Sequence, residues 1–251
     1  MNWRSACQIS MIALSAAGIA YSIYHLVFEY ADNRQVMAEA RSIYSSSAAQ
    51  EQAETPKDEV RPRFKELLEV SPDLVGWLRL HDTLIDYPIV QGKDNDYYLS
   101  RNYKREEMKS GSIFMDYRNK SPETELNTVI YGHNMRDGSM FGQLKQYTDP
   151  DFLQSHPTFT YETLHDDYVA EIFSVYYTTT ENDYIQTQFN GEEEYDSFLQ
   201  TIRKRSLYKT ETVLTENSLI LTLSTCDSTL DPEEGRLALH AMLIKRQKPT
   251  P

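Results

Sequence analysis

Apolar and polar positions follow different periods along this chain, and the changes of period divide it. Residues 7–28 are almost uninterruptedly apolar and small. A bilayer needs about 20 such residues, so this stretch predicts a membrane span. Gln8 and His25 fall near its ends, where polar groups cost least, and Tyr21 and Tyr24 suit the interface. Residues 29–43 have helical composition and continue the span as a stalk. Residues 45–56 are polar and low in complexity, which reads as a linker. Near Val60 helical spacing begins: Phe64, Leu67 and Leu68, then Leu74, Val75 and Leu78. Ser71-Pro72-Asp73 looks like an N-cap with proline in the first turn. Two short helices are therefore expected, the second running through Trp77.

From residue 83 strands dominate. Runs rich in Val, Ile, Thr and Tyr predict strands over 83–90, 111–115, 127–131, 158–162, 168–178, 219–223 and 237–244. Pro88 marks an edge or a bulge. Short helical turns are expected at 141–147 and 150–155. Residues 192–205 form the clearest helix: Tyr195, Phe198, Leu199 and Ile202 share one face, and Glu192, Glu193 and Glu194 suit the first turn. Many strands with few helices point to a closed barrel or a sandwich. The expected division is a tail at 1–6, the span at 7–28, stalk and linker at 29–59, and one folded domain at 60–248.

Composition changes this picture in three ways. An apolar fraction of 40% is enough for a packed core. A net charge of -13 argues against nucleic acid, since a phosphate-binding face needs clustered Lys and Arg. The flanking charges orient the span: Arg4 precedes it, while Glu29 and Asp32 follow. The positive-inside rule puts the N-terminus in the cytoplasm and the domain outside the cell membrane. The competing reading is a signal peptide cut near Ala16-Ala17-Gly18. The apolar run continues past that point, which favours an uncleaved anchor; both readings export the domain.

There are two cysteines, Cys7 and Cys226. A bridge between them would tie a membrane-proximal residue to the core, so Cys226 is expected as a free thiol. Exported compartments favour disulfides, so a retained thiol suggests use as a thiol. At its reference pKa of about 8.5 a thiol is only a few per cent thiolate at neutral pH, so it needs a partner. Of six histidines, His133 has the most suggestive setting, at the end of a strand in Tyr131-Gly132-His133-Asn134. It reads as a catalytic group or as a solvated loop histidine. His240 lies inside a strand and reads as packed; His81, His156 and His165 lie in turns. Arg236 opens the strand after Cys226. It would either bind a carbonyl oxygen and the oxyanion formed on attack, or form a rim salt bridge with Asp231, Glu233 or Glu234. No Cys/His spacing of the metal-binding kind occurs.

Thr222-Leu223-Ser224-Thr225-Cys226 resembles the TLxTC signature of sortases. Tyr131 to Met135, with Gly138-Ser139-Met140-Phe141, is similar to the histidine segment of class B sortases. Gly235-Arg236-Leu237, followed by His240-Ala241, is similar to their arginine strand. The resemblance implies a mainly β, closed eight-stranded barrel with two short N-terminal helices, one longer helix inserted between late strands, and a preceding anchor. It implies a cysteine transpeptidase, formally a thiol protease, outside a Gram-positive cell membrane. Cys226, His133 and Arg236 would be catalytic. Asn95, Leu99, Thr180, Tyr184, Ile185, Ser224 and Thr225 fall where class B contacts substrate, although Leu99 and Ile185 could equally be packing residues.

By the same resemblance, the substrates are surface proteins carrying an NPxTx-like sorting motif, cleaved after Thr. The acceptor is an amine of peptidoglycan or its lipid-linked precursor. Neither cofactor nor metal is implied. The rival readings are a pilin-polymerising sortase with a protein lysine as acceptor, a cysteine peptidase with water as acceptor, and a membrane-anchored wall-binding module with a structural thiol.

Overall fold

The computed structural model describes residues 3–49, 59–120 and 124–246. Two compact units are distinguished, one ending at Glu39 and one starting at Ala40. The first consists of the greater part of helix α1 (Trp3–Ala49), and the last turns of α1 belong to the second unit. The expected span at 7–28 is helical throughout. Among the described residues, however, no helix is long and apolar enough to cross a membrane. Residues 45–49 of the expected linker continue α1, and 50–56 lie outside the described residues.

In the second unit eight strands close a barrel in the order β1-β2-β3-β4-β7-β8-β6-β5. They are β1 (Leu74–Arg79), β2 (Asp86–Gln91), β3 (Ile113–Met115), β4 (Asn127–Tyr131), β5 (Thr158–Thr163), β6 (Asp167–Thr179), β7 (Ile220–Cys226) and β8 (Gly235–Lys245). The pairs β2/β3 and β4/β7 are parallel; the remaining pairs are antiparallel. Pro88 sits where β2 is flanked by β1 alone, since pairing with β3 begins only at Ile89. Its missing N–H therefore falls before the β2/β3 ladder and takes no bond from it.

One expected element is corrected. Of the two short helices, only α2 (Pro62–Val70) forms. It ends at Ser71, whose amide bonds the Leu67 carbonyl at 2.7 Å. The second, expected through Trp77, is strand β1. Leu74, Val75 and Leu78 do recur at helical spacing, but β2 and β5 claim both edges of this segment. Tertiary pairing overrides so short a pattern. Gly76 carried the missed signal: a Cβ there would lie 2.2 Å from the Glu162 carbonyl oxygen. Such a close approach belongs to a strand packed against its neighbour.

The last turns of α1 are pinned to the barrel by a buried acid. Tyr44 stacks on Trp77 with ring centroids 4.1 Å apart and donates to Glu162 Oε1 at 2.5 Å. Arg61 and Arg63 each reach Glu162 Oε2 at 2.9 Å, so the buried carboxylate is paired on both oxygens. Partnering of this kind is what makes such burial tolerable.

The longer helix is α4 (Glu192–Arg205), with bounds that match the sequence pattern. Tyr195, Phe198, Leu199 and Ile202 pack on Phe173, Tyr176, Ile220 and Ala238. The outer face of the β6, β7 and β8 sector is thus roofed by α4. Beneath this roof lies His240, fully buried as a packed histidine. Its Nδ1 is 2.8 Å from Thr222 Oγ1 and its Nε2 is 3.0 Å from Tyr176 Oη.

Burial, together with Arg205, lowers the His240 pKa to about 3. A histidine neutral in the fold but titrating near 6.5 when unfolded gives stability that is present above pH 6.5. That stability is lost as pH falls toward the folded value. We expect this site to cost about 2 kcal/mol of unfolding free energy between pH 7 and pH 5. Urea unfolding of wild type and His240→Gln at both pH values checks it: the variant should lose distinctly less on acidification. Equal losses would show that His240 does not govern the acid limb.

Candidate active site

Three neighbouring strands bring their ends together at one place. β7 and β8 pair Cys226 directly with Arg236. Directly opposed residues in an antiparallel pair have Cβ atoms about 5 Å apart, so thiol and guanidinium share a face. The β4/β7 register reaches Tyr131 opposite Ser224. Two residues further on, His133 comes alongside Cys226. Hydrogen bonds hold the strands together there: Gly132 N donates to Ser224 O at 3.3 Å, and Asn134 Nδ2 to Cys226 O at 2.9 Å. Side chains alternate between faces. Tyr131, His133, Ser224, Cys226 and Arg236 therefore lie on the outer face, the same face that α4 covers further along.

Each of the three groups has a defined environment. Cys226 is an exposed free thiol. His133 is half-buried, with Nε2 2.7 Å from the Leu99 carbonyl oxygen. A carbonyl only accepts, so Nε2 carries the proton in this contact and Nδ1 is left to exchange one. Arg236 is half-buried and donates from one terminal nitrogen to the carbonyls of Glu233 and Gly235, at 3.1 and 2.8 Å. Among the described residues it forms no ion pair, so the salt bridge to Asp231, Glu233 or Glu234 is not made.

Asp231 and Glu234 are engaged elsewhere. Asp231 Oδ1 accepts from the amides of Glu234 and Glu233, at 2.6 and 2.8 Å, which holds its carboxyl below the usual range. Asp227 Oδ1 accepts from Thr229 N at 2.8 Å. Glu234 accepts from the Thr180 hydroxyl through a side-chain oxygen and from the Thr180 amide through its carbonyl. The loop therefore joins the segment that leads into α4.

The other expected site residues have different settings. Tyr184 and Ser224 meet, with Oη and Oγ 2.9 Å apart. Burial pushes the Tyr184 hydroxyl above the ordinary tyrosine range, so it stays protonated at neutral pH. Leu99 is 40% exposed and is free for a ligand, whereas Ile185 packs partly against the α4 cluster. Asn95 uses its side chain internally, donating to Asp116 Oδ2 at 3.1 Å and accepting from Tyr117 N at 3.0 Å. Thr225 alternates to the inner face and is buried, and its Oγ1 has no hydrogen-bond partner among the described residues. The structure thus does not bring Thr225 to the outer face with the others.

Two further histidines have partners elsewhere: His156 pairs with Asp82 at 2.9 Å, and His165 contacts the Glu59 carbonyl. Among the described residues no three His, Cys, Asp or Glu side chains are arranged to hold a metal ion. The contact that sequence reasoning missed is the Leu99 carbonyl on His133. A main-chain oxygen leaves no trace in residue identity.

Comparison with known proteins identifies the family of the fold. The sortase domain model matches residues 78–244. Sortase B of Listeria monocytogenes is 44% identical over 220 residues, covering 88% of each chain. A crystal structure of a Bacillus anthracis protein similar to sortase B superposes with a TM-score of 0.80 at 52% identity, covering 87% of this chain and 98% of that one. The substrate complex of Staphylococcus aureus sortase B gives a TM-score of 0.80 at 32% identity, covering 88% of this chain and all of that one. With three strand ends presenting thiol, imidazole and guanidinium on one face of the same barrel, the chain belongs to the sortases of class B.

Proposed function

We propose that this sortase cleaves an NPxTx-like sorting motif after its threonine and transfers the acyl group to an amine of peptidoglycan or its lipid-linked precursor. The observation that carries the reading is the register pairing of Cys226 with Arg236 beside His133. In the first step the Cys226 thiolate attacks the threonine carbonyl carbon. The C–N bond breaks as the imidazolium of His133 gives its Nδ1 proton to the leaving amine, and a thioester remains. In the second step the acceptor amine attacks that thioester. His133 takes its proton, the amide forms and the thiolate departs. Arg236 holds the developing oxyanion with donors of its planar fork. A thioester keeps acyl-transfer potential, which lets an amine replace water.

Leu99, Tyr184, Ile185 and Ser224 line the approach to Cys226 in this reading, and Thr180 shapes it through Glu234. Residues 7–28 serve as a signal anchor with the catalytic domain outside. Mass spectrometry of the protein incubated with NPxTx and LPxTG peptides, with and without an added amine, tests the proposal. A thioacyl adduct on Cys226 that the amine discharges to a ligated product is expected. Equal cleavage with and without amine would replace the transpeptidase with a peptidase. A pilin lysine peptide that outcompetes peptidoglycan amines would move the acceptor to protein.

Gly235 supplies a further test. Its amide donates to Asp231 O at 3.2 Å and its carbonyl accepts from Asp227 N at 3.0 Å, which closes the loop just before Arg236. A Cβ there would lie 2.0 Å from Asp227 O and 2.4 Å from Asp231 O, both main-chain atoms. Gly235→Ala must therefore open the loop and shift Arg236. A misplacement of about 1 Å is worth about 100-fold in rate. Steady-state kinetics should show that loss in kcat/KM in a protein that still melts cooperatively. Wild-type kinetics in Gly235→Ala would detach the loop closure from catalysis.

A further inference from the structure

One buried carboxylate outside the catalytic cluster gathers the pieces that line the approach to Cys226. Asp116 follows β3 directly and has no exposed surface. Its Oδ1 accepts from the amide and from Nε of Arg118, both at 2.9 Å. Its Oδ2 accepts from an Arg118 terminal nitrogen and from Tyr131 Oη, both at 2.8 Å, and from Asn95 Nδ2 at 3.1 Å. The same Arg118 nitrogen reaches the Ile185 carbonyl at 3.0 Å. Asp116 is anchored through its own main chain as well: its amide donates to Val129 O, and its carbonyl accepts from Gln91 Nε2.

These bonds draw together three segments that carry expected substrate residues or lead to the catalytic strand ends. Asn95 brings the segment that continues to Leu99. Arg118 brings the segment of Tyr184 and Ile185. Tyr131 brings β4, opposite Ser224, one same-face step before His133 and Cys226. Two residues along a strand are about 7 Å, so the carboxylate anchors the floor next to the reacting groups while touching none of them. Burial alone would raise the Asp116 carboxyl. The bonds from Arg118, then Tyr131 and Asn95, outweigh that and hold it below its usual range, so it stays ionised.

We infer that Asp116, acting through Arg118, is the positioning residue that sets the spacing between the two walls of the peptide groove, so that it governs binding of the sorting peptide and leaves the reactivity of Cys226 untouched. The inference rests on the function proposed above. A carboxylate suits the task because it only accepts, and all its neighbours here are donors. An asparagine at the same place would turn an NH2 toward some of those donors and release the fork of Arg118. Both walls would then loosen, and substrate would have to pay for ordering them on binding.

The test compares wild type, Asp116→Asn and Arg118→Lys. Arg118 is partly exposed at the side chain, so its replacement keeps the experiment informative if the buried variant fails to fold. Lysine retains the charge but cannot span Asp116 and Ile185 together. Both variants should raise KM for the sorting peptide about 10-fold or more and keep kcat within about threefold. The rate of Cys226 labelling by a small methanethiosulfonate, which needs no groove, should match wild type. An unchanged KM in a folded variant would overturn the inference. So would a fall in kcat at constant KM, or slowed labelling, because each would place the effect at the reacting groups. Wild-type protein that turns over no sorting peptide yet labels normally would instead overturn the functional reading beneath it.

Discussion

Cys226→Ala is expected to abolish both peptide cleavage and the thioacyl adduct, leaving no more than the uncatalysed rate. The size of the effect follows from what an alanine cannot do. The reaction proceeds through a covalent thioester, and the described chain has no second nucleophile at the outer-face end of β7 to form one. Ser224, the same-face neighbour of Cys226, is buried and engaged with Tyr184 Oη. A residual adduct in Cys226→Ala, located by tandem mass spectrometry, would identify another nucleophile and refute the assignment. The fold should tolerate the change. Cys226 is exposed at a strand end, and removing an exposed Sγ leaves no cavity. The variant should melt within a few degrees of wild type, which separates loss of chemistry from loss of structure.

Arg236→Lys is the second large effect. It is expected to lower kcat/KM by about 100- to 1000-fold, the range for removal of an oxyanion donor. Charge alone does not decide the outcome, because lysine preserves it. The guanidinium already spends one terminal nitrogen on the carbonyls of Glu233 and Gly235. That contact aims the rest of the fork, whose remaining donors are available to a carbonyl oxygen. An ammonium has a single donor centre. It would either satisfy the loop carbonyls or turn to the substrate, but not both in fixed geometry. The loss should fall on kcat and kcat/KM alike, since the interaction matures in the transition state. Near-normal turnover of Arg236→Lys would remove the oxyanion role from Arg236.

Legibility in the sequence differed by element, for physical reasons. α4 was readable to its bounds because two independent signals agree: an acidic first turn and an apolar face at helical spacing. Cys226 and Arg236 were readable because each stands just outside an apolar run, at 219–223 and 237–244; β7 and β8 extend past those runs to include both residues. β1 was misread because six residues carry too little pattern to oppose the pairing imposed by β2 and β5. Whether Arg236 served a salt bridge was undecidable from sequence. Asp231 accepts from amides of its own loop and Glu234 from Thr180, and composition does not record that choice. The Asp116 hub was invisible for a different reason. Its partners Asn95, Arg118 and Tyr131, and Ile185 reached through Arg118, are spread along the chain and share no spacing rule. Of the expected substrate residues, Asn95 shows the cost of that blindness: its side chain is engaged in holding the groove.

The pairing of Cys226 with Arg236 also turns this protein into a reporter of its own folding. Strand register in a sheet is quantised. Sliding β8 by one residue against β7 would set Leu237 or Gly235 opposite the thiol and turn the guanidinium through to the other side of the sheet. No partial displacement along the strand gives a partly competent site. In refolding or engineering work, catalytic turnover per titratable thiol therefore counts the fraction of molecules whose last hairpin closed in step. Circular dichroism, blind to a one-residue slip, would score the two populations alike.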